Sequence, residues 1–125
     1  MNKLRFSFVC IFFIITVLSL TPPKSVIELS TNDKVGHYLA YLAFGMNCCL
    51  FFDIVTRKLL VFLLAILGYS ILIEFIQGFI GRTLSIYDFI ANSLGVLTSL
   101  IIFSLFRNQI KSVLVKIHVI SPSKK

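Results

Sequence analysis

The chain has 125 residues, 58% of them hydrophobic and 14% charged, with a mean hydropathy of +0.97 and a formal net charge of +7. A soluble domain is about 45–50% apolar and about 25% charged, and a single small core has no room for this much apolar side chain. The composition excludes a soluble globular domain and implies one integral membrane domain over residues 1–125.

Four apolar runs follow one another, at about 6–20, 36–52, 59–80 and 87–106. A spanning helix takes about 20 residues, with a range of about 17–25. The last two runs meet that length, and the first two sit at or below its short limit. Strict alternation is absent and the runs exceed the length of membrane strands. The expected fold is an all-α, integral membrane four-helix bundle followed by a basic tail at 107–125.

Lys3 and Arg5 precede the first run, as they would in a signal peptide. No small-x-small cleavage pattern follows, and Cys10 lacks the small residue expected before a lipidated cysteine. The first run therefore reads as an uncleaved helix, stopped by Pro22 and Pro23.

The second run is entered through Asn32-Asp33-Lys34-Val35-Gly36-His37, with Tyr41 one turn beyond His37 on the same face. Asp33 is also a good N-cap, His37 a plausible packing residue and Lys34 a plausible interfacial anchor. In the third run Glu74 and Gln77 are three apart and share a face. They read either as a site or as interhelical hydrogen-bonding glue, worth typically about 0.6 kcal/mol. Arg82 follows in the turn. Ser85-x-x-Asp88 has the spacing of a capping box at the start of the fourth helix, which would occupy Asp88 locally. Asn92, one turn deeper, is not explained by a cap. Ala91, Gly95 and Ser99 repeat small residues every four, a close-packing pattern of membrane helices, and Gly36 with Ala40 hints at the same.

Cys10, Cys48 and Cys49 all sit inside apolar runs and read as small buried hydrophobes. The spacing shows no metal-ligand pattern, no Cys–His or Ser-based nucleophile, no phosphate-binding Gly loop and no dinucleotide fingerprint. No cofactor and no metal is expected; a metal on His37, Glu74 and Asp88 has no support from spacing.

Orientation follows from the basic residues. If the N-terminus, the Asp53–Lys58 turn and the C-terminal tail share a side, that side holds nine of the 12 Lys and Arg residues and the other holds three: Lys24, Lys34 and Arg82. Counting acids, the net charge divides as +8 (9 − 1, Asp53) and −1 (3 − 4, Glu28, Asp33, Glu74 and Asp88). Both termini are expected in the cytoplasm, and the basic balance reads as topology and lipid attraction, not nucleic-acid binding. The same topology sends Asp33, Lys34, His37, Glu74, Gln77, Arg82, Asp88 and Asn92 to the outer half. Within the inner half of the expected helices Asn47 is the one amide, and there is no charge.

These ordered pieces, Asp33-Lys34-x-x-His37-Tyr38-x-x-Tyr41, then Ile73-Glu74-x-x-Gln77, Gly81-Arg82 and Asp88-x-x-x-Asn92-x-x-Gly95, resemble the VanZ-like family of small bacterial membrane proteins. The resemblance covers about residues 18–105. Two positions depart from the family pattern: Tyr38 stands where Phe is usual after the His, and Ile80 where Pro often precedes Gly-Arg. The resemblance implies a four-helix domain in the bacterial cytoplasmic membrane. The family's best-known member is associated with low-level resistance to teicoplanin, which acts on wall precursors outside the membrane.

The functional expectation is an outward-facing polar pocket that binds or modifies a cell-envelope molecule, either a lipid-linked wall precursor or an anionic lipid headgroup, with an effect on glycopeptide susceptibility. Its residues are Asp33, Lys34, His37, Tyr41, Glu74, Gln77, Arg82, Asp88 and Asn92. Lys34 and Arg82 would hold phosphate or carboxylate. His37, Glu74 and Asp88 are the candidates for acid–base roles, although no motif identifies an enzyme. Membrane lipids are the expected partners, with a homo-oligomer or another membrane protein as further possibilities. Two other readings stand beside this one: an accessory protein whose polar residues are glue, and a small proton-linked transporter.

Overall fold

The structure, a computed structural model, describes residues 3–21, 33–80, 85–117 and 119, and only the backbone of Asp33. Four helices make up the fold: α1 (Lys3–Leu20), α2 (Asp33–Phe52), α3 (Arg57–Phe79) and α4 (Ile86–Lys116). No strand occurs among the described residues. All four helices are long and apolar enough to cross a membrane. The first two exceed their apolar runs by starting earlier, at Lys3 and Asp33, so a polar first turn supplies the missing length. At about 1.5 Å per residue, α1 is about 27 Å long and α2 about 30 Å.

The helices alternate in direction. Asn47, late in α2, donates to Ser7, early in α1, at 2.5 Å. Thr16 and Tyr69 share a hydrogen bond of 2.5 Å, joining the later halves of α1 and α3. Gln77 Nε2 donates to the Ser19 carbonyl at 2.8 Å. The α2 and α4 starts therefore lie at one end of the bundle, called here the site end. The Asp53–Thr56 connection and the later part of α4 lie at the other, the basic end.

The central seam is α2 against α4, the most extensive helix pair. Gly95 makes it possible: a Cβ there would collide with the Tyr38 carbonyl oxygen and come within 2.8 Å of the Leu42 amide nitrogen. Further along the seam, a Cβ at Gly45 would meet the Ser99 side chain. The small-residue repeat of α4 is thus packing, but its partner in α2 is Gly45. Gly36 is exposed and has nothing within 4 Å of its Cβ position. The core is filled by Ile15, Tyr41, Phe44, Cys48, Cys49, Leu59, Leu63, Ile66, Val96 and Phe103. Outward-facing residues such as Phe13, Val17, Leu64 and Leu105 are about two-thirds exposed, at 60%, 61%, 66% and 68%. A belt of large apolar side chains bared in this way suits lipid contact, not water.

The basic tail begins differently from the expectation. Residues 107–116 continue α4 as helix, after a break at Phe106 (φ −116°, ψ 15°). The reason lies in the connection after α2. Asp53 ends that helix in the left-handed region (φ 66°), with its N–H bonded to the Cys49 carbonyl at 3.0 Å. Its carboxylate then receives Arg107 at 3.2 Å and Lys111 at 2.8 Å, residues one turn apart that only a helix presents together.

Candidate functional site

Three helices bring polar side chains together at the site end. His37 is four residues into α2, about 6 Å along its axis; Asp88 is two residues into α4; Glu74 is five residues before the end of α3. Because α3 runs opposite to α2 and α4, all three reach the same depth. The His37 Nδ1 atom lies 3.1 Å from Asn92 Oδ1 and 3.9 Å from Glu74 Oε1, and its Nε2 lies 3.8 Å from Asp88 Oδ2. Glu74 is 4% exposed, Asp88 7% and Asn92 1%, so these groups are withdrawn from the surface although each sits near a helix end.

Asn92 is the hinge of the cluster. Its Nδ2 donates to Ser70 Oγ at 2.6 Å, which turns its carbonyl toward His37. In that arrangement the His37 Nδ1 carries the proton and donates, leaving the Nε2 lone pair on the side of Asp88. Ser70 is fully buried and had no place among the expected residues. The signal was available: Ser70, Glu74 and Gln77 are spaced four and three apart, one stripe of α3.

Asp88 does not serve a capping box. Ser85 is the N-cap of α4, but its side chain makes no cap bond; the Ser85 contribution is its backbone carbonyl, which accepts from the Asp88 N–H at 3.1 Å. The Asp88 carboxylate is therefore available to face His37, while its position in the first turn suits the positive end of the helix dipole.

The remaining expected residues divide. Gln77 is buried at the same end but ties α3 to α1 through Ser19. Tyr41 is 1% exposed in the core, its ring edge-on to Phe44 with centroids 6.4 Å apart. Lys34 is exposed in the first turn of α2, at the rim. Arg82 and the Asp33 side chain lie outside the described residues. A separate apolar groove of about 180 Å³ is lined by Phe8, Phe12, Phe44, Phe62, Ala65, Ile66 and Tyr69, none of them a member of the polar cluster.

An all-helical bundle with four spanning helices and a buried carboxylate–imidazole cluster defines a multi-pass membrane protein with a polar site at one end. The family model described as VanZ/LLP1 matches residues 4–107, which takes in all four helices, although α4 continues past its limit. The chain belongs to the VanZ-like family. No curated protein and no solved structure matches it.

Proposed function

We propose that this protein binds the polar headgroup of a cell-envelope lipid, with a lipid-linked wall precursor as the leading ligand and an anionic phospholipid as the other. The carrying observation is the convergence of His37, Glu74, Asp88 and Asn92 from three helices, buried within two turns of one end. Charge in a membrane bundle costs about 2.5–3.5 kcal/mol per residue at a helix centre, so such clusters are retained where they act. Headgroup hydroxyls and amides suit the carboxylates, and the exposed Lys34 at the rim suits a phosphate. Arg82 joins it on sequence grounds. Among the described residues, the groups placed against His37 are an amide and two carboxylates, a set that suits binding. The nine-to-three distribution of basic residues supports a site end facing outward in the bacterial cytoplasmic membrane, with both termini in the cytoplasm. There a receptor for the precursor would compete with a glycopeptide for it.

The interhelical bonds of Asn92 and Gln77 favour a second reading, an accessory protein held together by this network. Substitutions that keep shape and hydrogen bonding separate the two. Glu74→Gln should fold and melt normally in either case; it abolishes ligand binding only if charge is used. Titration of the purified protein with vesicles of zwitterionic lipid alone, or containing anionic phospholipid or polyprenyl-linked wall precursor, should show selective binding. Lys34→Ala should weaken it by about 1.5–3 kcal/mol if a charge-assisted bond to phosphate is lost. Equal binding of all three vesicles by wild type and both variants would leave the accessory reading. A single cysteine at Ser85, in a background lacking Cys10, Cys48 and Cys49, should react with an impermeant thiol reagent in intact cells; protection there with labelling at Ser121 would reverse the orientation.

A further inference from the structure

One imidazole nitrogen of His37, one carboxylate oxygen of Glu74 and one of Asp88 all lie within 4.8 Å of one another. The His37 Nε2–Asp88 Oδ2 separation of 3.8 Å is too long for a hydrogen bond. It is close to the spacing of two ligands on one ion. With bonds of about 2.1 Å, neighbouring tetrahedral ligands are about 3.4 Å apart. We propose that His37, Glu74 and Asp88 bind one divalent transition-metal ion of the zinc or manganese class.

Charge supports a dication. Two carboxylates and a neutral imidazole carry −2 between them, a donor set that suits a divalent cation inside an apolar bundle. The donor set supports the class. Imidazole disfavours calcium and magnesium, which take oxygen ligands, while the absence of a thiolate at this end disfavours copper(I). Cys48 and Cys49 lie 11 and 12 residues beyond His37, toward the basic end of α2.

Orientation supports it independently. A metal-bound histidine usually gives its second N–H to a carbonyl or carboxylate, which fixes the ring and its tautomer. His37 already has that partner in Asn92 Oδ1 at 3.1 Å, and Asn92 is itself held by Ser70 at 2.6 Å. The Nε2 atom is left facing Asp88. Ser70 and Asn92 are positioning residues under this assignment. Three protein ligands leave a coordination position for a headgroup phosphate or carboxylate. The metal site stands without the headgroup reading.

The test uses the full chain in detergent, stripped with a chelator, then titrated with Zn²⁺ or Mn²⁺ and with Mg²⁺ as control. Bound metal is counted by elemental analysis after desalting. Wild type should take up one Zn²⁺ or Mn²⁺ per chain and prefer either to Mg²⁺. Asp88→Asn and His37→Gln should lose this uptake while keeping a cooperative melt. Asn92→Ala should weaken affinity by about 10–100-fold, as loss of an orienting partner does. A Cys48→Ala, Cys49→Ala variant should bind as wild type. No uptake by wild type, or equal uptake by Asp88→Asn and His37→Gln, overturns the proposal. The vesicle titration repeated with chelator separates the two readings. Headgroup binding unchanged by chelator removes the metal from ligand capture, whereas metal uptake without headgroup binding removes the ligand reading alone.

Discussion

The two ends of this bundle handle polar residues in opposite ways. At the basic end, Asp53 meets Arg107 and Lys111, and the pairing is wet: the three side chains are 47%, 37% and 26% exposed. Deeper in, that half uses neutral groups, with Asn47 on Ser7. At the site end, the carboxylates of Glu74 and Asp88 are nearly fully buried around an imidazole. Exposed ion pairs contribute about 0–1 kcal/mol and need no further explanation. Neutral hydrogen bonds suffice to join helices, as Thr16 with Tyr69 and Gln77 with Ser19 show. Buried charge is therefore not a requirement of assembly in this fold, and among the described residues it is restricted to one end.

The largest expected difference between the ends lies along the α2–α4 seam. A methyl group at Gly95 meets backbone of α2, at Tyr38 and Leu42, which cannot move without separating the helices beside His37. A methyl group at Gly45 meets the Ser99 side chain, whose hydroxyl can rotate away from its bond to the Val96 carbonyl at 2.7 Å. Gly95→Ala should destabilise by about 1–3 kcal/mol, the usual cost of overpacking, and Gly45→Ala by less. Melting in detergent micelles checks the order. If Gly45→Ala proves the more costly, the tightest approach of the two helices is not at the site end.

The sequence made the architecture legible because membrane spans are read from length and apolarity alone. It also brought His37, Glu74, Asp88 and Asn92 to one end, since alternating helices leave no other place for them. Lateral contact was not legible. Glu74 and Gln77 share a helical stripe, yet one faces His37 while the other reaches α1, a difference of a few tens of degrees that spacing does not resolve. Ser70 was passed over because a hydroxyl in an apolar run can bond its own helix; only the position of Asn92 reveals its role. The capping-box pattern at Ser85 pointed the wrong way for a related reason. Four letters specify that a cap is available, while the competing contact that draws Asp88 inward comes from residues 51 positions earlier in the chain.

Caps sharpen the comparison at intermediate size. At the basic end, Thr56 caps α3 with its hydroxyl, accepting from the Leu59 N–H at 3.3 Å. At the site end, Ser85 makes no side-chain cap bond. Thr56→Ala should therefore cost about 1 kcal/mol, typical of a lost N-cap, and Ser85→Ala only a few tenths. Equal losses at the two positions would restore the capping box, and with it a local duty for Asp88.

The smallest effect belongs to the exposed ion pairs. The hydrogen bond from Lys111 above all, helped by that from Arg107 and by both charges, holds the Asp53 carboxyl below its ordinary value, against an opposing effect of burial that is second only to the Lys111 bond. A depressed carboxylate stabilises the fold above its unfolded-state value, about 3.9 for Asp, and loses that contribution as pH falls through the folded-state value below it. Stability attributable to Asp53 should thus be constant from neutral pH down to about 5 and decline below about 4. Exposure keeps the total under about 1 kcal/mol, and added salt should shrink it further. Asparagine also tolerates the left-handed backbone at this position, so Asp53→Asn removes the charge without adding strain. Micelle melting curves of wild type and Asp53→Asn should therefore differ slightly at neutral pH and converge in acid, with ligand or metal uptake unchanged. An Asp53→Asn variant that melts normally yet loses uptake at the far end would show that the two ends are coupled, and the separation drawn between them would fail.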